Sequence, residues 1–378
     1  MQNFDDIRFY SDKEVEIALR DYVKHPMVKA LLQFTFPDLE FQEIEEKVFE
    51  CKSIQDFQSK IIYYSVEKVL EKTSEGLNDV GFEKLNPSES YFYISNHRDI
   101  ILDTSLINYT LYNHDLVMTA SAIGDNLVQK PFLLALSKLN RNFLVLRNQS
   151  PREMLKSSLK LSEYIRNLLM DEGRSVWMAQ REGRTKDGND HTQQGVLKML
   201  AMAKGDMDIL DYLSKLKIVP VAISYEFDPT DMLKMPEVLA KRMKEEYKKS
   251  ANEDFNSIMQ GAMGQKGRIQ LTAGEILKKE DFDRIREMGL SVNDQLKEVA
   301  NLIDRAIHRN FKLWPANYIA YDILKNSDKF ADKYTDKEKR QFDRRISRRV
   351  DVKNPLALNS YLLMYANPVI NKLSLNEE

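Results

Sequence analysis

From about residue 86 onward, this chain of 378 residues alternates short β-branched and aromatic runs with helix-length segments, and that rhythm limits the folds open to it. The runs are Tyr91 to Ser95, Leu116 to Ser121, Asn142 to Arg147, Arg174 to Met178, Lys217 to Tyr225 and Gly267 to Thr272. Between them lie stretches such as Pro151 to Glu172, whose proline suits a first helical turn. Alternation of this kind predicts an α/β fold with a largely parallel central sheet flanked by helices. In such a sheet the chemistry gathers where strands run into the following loops or helix starts.

The flanks read differently. Residues 1–85 predict an N-terminal helical domain: Ser11 and Glu14 have capping-box spacing, and Val15, Ile17, Ala18, Tyr22 and Val23 follow as a helical stripe. A second stripe runs from Phe57 through Ile61, Ile62, Val66 and Val69 to Leu70. Residues 86–327 then form the α/β domain, and 328–378 a helical C-terminal extension. In that extension Lys339, Arg340, Arg344, Arg345, Arg348 and Arg349 share a segment with apolar Phe342, Ile346 and Val350. Such a stretch suits either an anionic membrane surface or a solvated helix paired with neighbouring acids.

Composition removes several classes. A formal net charge of −2 argues against a general nucleic-acid binder. The single cysteine, Cys51, allows no internal disulfide, and the first residues have no signal-peptide pattern, so a cytoplasmic location is expected. No apolar run approaches the ~18 to 20 residues that span a bilayer, which leaves work on lipids to a peripheral position on the inner face of the membrane. None of the 13 glycines forms a nucleotide-binding loop; Gly261, Gly264 and Gly267 lead into the strand-like RIQL. His25, His97, His114, His191 and His308 show no zinc-ligand pairing, so neither metal nor cofactor is expected.

The first strand ends in YFYISNHRDIILD, which delivers His97 to the head of an apolar segment with Asp99 and Asp103 close behind. A histidine oriented by a carboxylate is a general-base pattern, because the imidazole titrates near neutrality; a surface histidine in a strand-to-helix turn has the same local sequence. The loop after Met178 carries Arg181, Glu182, Gly183, Arg184 and Lys186, a combination suited to an anion because arginine offers a planar fork of donors and glycine admits backbone amides. Arg147 ends the strand FLVLR. Pro220, inside KIVPVAISYE, requires an edge, a bulge or a place where no ladder donor is needed.

The blocks SNHRDIILD, FLVLR, REGRTKDG and IVPVAISYE stand in one order, and together they resemble the glycerolipid acyltransferase superfamily, which includes glycerol-3-phosphate, dihydroxyacetone-phosphate and lysophosphatidate acyltransferases. The third and fourth blocks look most like the glycerol-3-phosphate branch, as do GRIQLTAGEIL and NYIAYDIL downstream; the resemblance spans about 90 to 326. One position departs from it. The family's aspartate follows its histidine by five residues, whereas here position 102 is leucine. On a helix five residues advance about 140° beyond a full turn and six about 240°, so Asp103 does not simply replace the missing acid. A π-bulge or a longer turn before the helix restores Asp103 to His97, with Asp99 as a helix cap; otherwise Asp99 orients the ring itself.

The resemblance implies an O-acyltransferase that moves a fatty acyl group from an acyl thioester, acyl-CoA or acyl carrier protein, to a hydroxyl of glycerol 3-phosphate in phospholipid synthesis. His97 would be the base and Asp103 or Asp99 its orienter. Arg147, Arg184 and Lys186 would hold the acceptor's phosphate, with Glu182 and Gly183 shaping the loop. The expected partners are thus an acyl thioester, a phosphorylated glycerol and a membrane surface. The alternatives are acylation of lysophosphatidate or an aminolipid, and a catalytically silent lipid-binding scaffold.

Overall fold

Side-chain alternation along the strands builds a three-layer molecule, seen in a computed structural model that describes residues 3–375. Among these residues one sheet contains β1 (Ser74–Val80), β2 (Phe92–Ser95), β3 (Ala120–Gly124), β4 (Asn142–Val145), β5 (Val176–Ala179), β6 (Ile218–Tyr225) and β7 (Gly267–Ala273), in the order β1-β7-β6-β2-β5-β3-β4. The five strands from β6 to β4 are mutually parallel; β7 runs antiparallel to β6, and β1 is parallel to β7. Phe92 and Ile94 face one layer, with Val176, Met178, Ile218 and Ala222. Tyr93, Trp177, Val219, Val221 and Ile223 face the other. The period of two thus buries both faces of the sheet.

Helices cover those faces. Pro151–Arg166, Gln194–Leu200, Ile209–Lys215 and Val292–Asn310 pack on the first, and Tyr63–Thr73 and Leu102–Asn113 on the second. The first of these starts where the sequence places it: Ser150 accepts the Glu153 N–H, the Glu153 carboxylate accepts the Ser150 N–H, and Pro151 occupies the first turn. The helices between Asp12 and Ile62 enclose an apolar cluster of their own that takes in Phe132 and Leu139 of the helix Pro131–Leu139.

β1 was not among the expected strands, so the residues before 85 are not all helical. Its sequence, SEGLNDV, lacks apolar alternation because it pairs only with β7 and forms an edge, where polar residues are tolerated and discourage further pairing. β3 begins at Ala120 rather than Leu116; Leu116 and Met118 are buried, but in the lead-in to the strand. Pro220 costs no ladder bond. It sits opposite Ile94 of β2 and one residue beyond the last β6–β7 pair, Val221 with Ala273, where the Gly274 N–H meets the Pro220 carbonyl at 2.8 Å.

The C-terminal helices Pro315–Lys325, Asp336–Arg349 and Pro355–Ser374 gather around Phe227 and Met235. Asp231 fastens them. Its fully buried carboxylate accepts from Arg345 (2.8 Å), Arg349 (2.5 Å) and the hydroxyls of Tyr361 and Tyr365 (2.8 Å each). Two of the six basic residues of that extension therefore point inward, while Lys339, Arg340, Arg344 and Arg348 remain exposed. No helix of the described residues is long and apolar enough to cross a membrane.

Candidate active site

The parallel strands deliver their following residues to one end of the sheet. β2 runs into Asn96 and His97, β4 into Arg147, β5 into the loop from Gln180 to Asp190, and β6 ends at Tyr225. Asn96 extends the β2–β6 ladder with its side chain: Nδ2 donates to the Ile223 carbonyl (2.9 Å) and Oδ1 accepts the Ile223 N–H (2.8 Å). The chain is thereby held at the position where it leaves the sheet, and His97 is the next residue.

Between His97 and the helix beginning at Leu102 the backbone makes an extended turn, and this absorbs the additional residue. Asp103, in the first helical turn, swings back so that its Oδ2 lies 2.8 Å from His97 Nδ1. The same oxygen accepts the N–H groups of Arg98 (2.6 Å) and Asp99 (2.9 Å), and Oδ1 accepts the Tyr225 hydroxyl (2.9 Å). A carboxylate surrounded by four donors is an acceptor, so the Nδ1 proton belongs to the ring and Nε2 carries the free lone pair. Burial, then the charges of Asp103 and Asp99, raise the Tyr225 phenol well above its ordinary value and keep it a donor. The Trp177 ring stands edge-on to the imidazole, with centroids 5.7 Å apart.

Asp99 does a different job. Its Oδ1 accepts from the N–H groups of Ile101 (3.0 Å) and Leu102 (2.8 Å), capping the helix start, while its buried Oδ2 has no hydrogen-bond partner. Burial, and then the Asp103 charge, raise this carboxyl above the ordinary carboxylate range.

The glycine loop closes on the histidine turn: Thr185 N–H donates to the His97 carbonyl at 2.8 Å. Arg184 is buried and donates to the Thr230 hydroxyl (3.3 Å), with no carboxylate partner among the described residues. Lys186 meets Glu237 at 3.0 Å, and burial lowers its pKa despite that neighbour. Gly183 has φ +67, a left-handed conformation that glycine adopts freely. Arg147 does not join Arg184 directly; it pairs with Glu182 at 2.7 Å nearer the solvent. Glu182 thus takes Arg147, not Arg181 or Arg184, as its partner.

Beside the turn Asp99–Leu102 lies an apolar cavity of about 480 Å³. Its walls come from the N-terminal helices (Met27, Leu31, Phe34), from Tyr109 and Leu133, and from the helix Glu253–Met263 (Phe255, Ile258, Ala262). The site therefore combines a base with an open nitrogen, an unpaired buried cation and an adjoining apolar chamber. Among the described residues no group of three or more His, Cys, Asp and Glu residues could hold a metal ion.

Residues 76–224 match the family described as Acyltransferase. The match starts within β1 and ends within β6, taking in the His97 turn and the glycine loop. Among solved structures the chain is similar to the 1-acyl-sn-glycerophosphate (LPA) acyltransferase PlsC from Thermotoga maritima, at 13% identity over 78% of this chain and 93% of that one, with a TM-score of 0.37. Comparison with curated protein sequences found no match.

Sequence reasoning overlooked Tyr225, Asn96 and the polar cluster of Asp228, Thr230 and Lys234. Tyr225 was within reach: it follows Val221 and Ile223 at period two on the strand beside β2, hence on the face that carries Trp177. Asn96 acts through its bonds to Ile223 on another strand, and Asp228, Thr230 and Lys234 reach the site from a segment distant in sequence, which periodicity does not register.

Proposed function

We propose that the protein transfers a fatty acyl group from an acyl thioester to the hydroxyl of a phosphorylated glycerol, with glycerol 3-phosphate as the acceptor. The observation that carries this reading is the His97–Asp103 pair on a turn whose residues Asp99–Leu102 border an apolar cavity and whose His97 carbonyl is bonded to Thr185, next to the buried Arg184 that has no carboxylate partner among the described residues. The cavity takes the acyl chain, and Arg184 with Lys186 takes the phosphate dianion, which fixes the acceptor hydroxyl relative to the base.

His97 Nε2 accepts the hydroxyl proton as that oxygen attacks the thioester carbonyl carbon. The tetrahedral intermediate collapses, the carbon–sulfur bond breaks, and the thiolate leaves with the proton from the imidazolium. Asp103 holds the ring in the tautomer that this sequence needs. The arrangement is the base-and-orienter half of a serine triad, the substrate hydroxyl replacing the serine. The exposed Lys339, Arg340, Arg344 and Arg348 offer contact to an anionic membrane, where the lipid product belongs.

Thiol release from acyl-CoA and from acyl carrier protein tests the reading, with glycerol 3-phosphate, lysophosphatidate and an unphosphorylated acceptor compared. Turnover should depend on glycerol 3-phosphate, and His97→Ala should lower it by about 10²-fold or more with unchanged circular dichroism. Near-normal turnover in that variant would remove His97 from the chemistry, and a preference for another acceptor would displace glycerol 3-phosphate.

A further inference from the structure

Two peptide groups hold the base's carboxylate, and each is held in turn from behind. The peptide between His97 and Arg98 accepts the Thr185 N–H at its oxygen and donates the Arg98 N–H to Asp103 Oδ2. The peptide between Arg98 and Asp99 donates the Asp99 N–H to the same oxygen, and its carbonyl accepts from Lys234 Nζ at 3.0 Å. Lys234 lies in the helix Asp231–Met243 and is sealed from solvent, so it reaches no substrate. An ammonium in such a place is costly unless paired. Asp228 pairs with it: burial opposes ionisation of that carboxylate, but the Lys234 charge and the Thr230 N–H outweigh it and hold the Asp228 pKa below its ordinary value. The pair satisfies the charge balance without Arg98, yet the lysine also spans to the peptide behind the catalytic turn.

We propose that Lys234 is a positioning residue that tunes the His97–Asp103 pair through the peptide group between Arg98 and Asp99. The proposal rests on His97 as the general base. A cation at a carbonyl oxygen draws electron density from the peptide and makes its N–H a stronger donor, because hydrogen bonds in series polarise one another. Asp103 Oδ2 is then more fully satisfied by the backbone and leans less on the imidazole. The result is a ring held in orientation by a carboxylate whose demand for donors is shared with the backbone. The Thr185 bond does the same for the neighbouring peptide without a charge, and it links the dyad to the loop that carries Arg184.

Other charged and titratable groups face this pair. Asp99 and Tyr225 flank Asp103, Arg184 and Lys266 act on Asp99, and the Arg98–Asp190 pair (2.5 Å) leaves the same turn. A useful test must hold them constant while removing the ammonium. Asp228→Asn retains an oxygen for Thr230 and leaves the lysine on Arg98. Asp228→Asn/Lys234→Met then removes the cation without stranding a buried carboxylate. Asp228→Asn/Lys234→Gln restores a neutral donor of similar length.

The measurement is kcat/KM against pH for the three variants, with thermal unfolding of each. The acid limb should lie about 0.5 to 1 unit higher in the methionine double variant than in Asp228→Asn, since both a weaker amide donor and a lost positive charge favour the protonated ring. The glutamine double variant should fall between them, and it carries the comparison by itself if the methionine variant fails to fold. Coinciding acid limbs, or a downward shift, would overturn the role of Lys234. An active His97→Ala would instead overturn the base itself, so the two failures are distinguishable.

Discussion

At the scale of single residues, the division of labour between two aspartates decides how the site works. Asp103 meets His97, and Asp99 caps the helix with one oxygen while the other is buried without a partner. Asp103→Asn should lower turnover by roughly 10²- to 10⁴-fold, because the ring loses its orienting acceptor. Asp99→Asn should leave turnover within a few-fold. The stability effects also differ. The Asp99 pKa is raised in the fold, by burial first and by Asp103 second, so the fold favours the neutral acid. Below the ordinary value of 3.8 both states are protonated and no penalty arises; as pH rises through the folded value, keeping or ionising that acid costs stability. Denaturant unfolding should therefore find Asp99→Asn stabilised by on the order of 1 kcal/mol at neutral pH, a gain that disappears towards pH 4. A gain that is constant with pH would mean that the carboxyl group does not titrate differently on folding.

His97 and both acids were legible as a cluster in the sequence. Which acid faced the ring was not, because the answer lies in how many residues the turn before Leu102 contains, and neither helical phase nor composition encodes that. Arg184 was visible as a donor in a glycine loop, but its lack of an acidic partner depends on Glu182 being drawn away by Arg147, a contact between two separate strand ends.

At the scale of elements, the loop between β5 and the helix Gln194–Leu200 turns on two glycines with different reasons to be there. Gly183 needs only its positive φ, since an added methyl group would have nothing within 4 Å. Gly188 has φ +76, and a methyl group there would sit 2.2 Å from the Met364 carbonyl oxygen in the C-terminal helix. Gly183→Ala should cost about 1 kcal/mol. Gly188→Ala should cost about 3 kcal/mol or more, because backbone must move away from backbone. Equal denaturant midpoints for the two variants would show that the loop and the helix Pro355–Ser374 are not in the register described. The loop's polar character and its glycines were plain in the sequence; the helix behind Gly188 was not, since almost half the chain separates the two. Asn367 adds a second tie, donating to the Asp187 carbonyl at 2.7 Å.

At the scale of the whole molecule, segments outside the sheet complete the site. The C-terminal helices brace the loops through Asp231 and Gly188, and the N-terminal helices form a wall of the apolar cavity. Asp231→Ala strands two arginines and two tyrosine hydroxyls and should cost about 3 to 5 kcal/mol, with hydrogen exchange rising first across 315–374. Uniform protection there would show that the apolar contacts alone secure these helices. The α/β class was readable from the alternation of runs, while the N-terminal boundary was blurred because β1 lacks the apolar pattern by which strands are recognised.

The pairing of β1 also bears on the order in which the molecule is made. β1 lies near the start of the chain, yet its sole neighbour in the sheet is β7, which emerges after nearly all of the catalytic segment. Through most of synthesis the early helices have a tail with no ladder to join, and the sheet grows from β2 outward. Arrival of Gly267–Ala273 closes the gap between β6 and β1 and brings the N-terminal helices against the sheet. The long-range closure is a slow type of contact to form, and it comes immediately after the helix Glu253–Met263, the last segment of the cavity wall to leave the ribosome. The apolar cavity is therefore assembled late, and a chain released before β7 would carry its histidine turn but not the enclosure beside it.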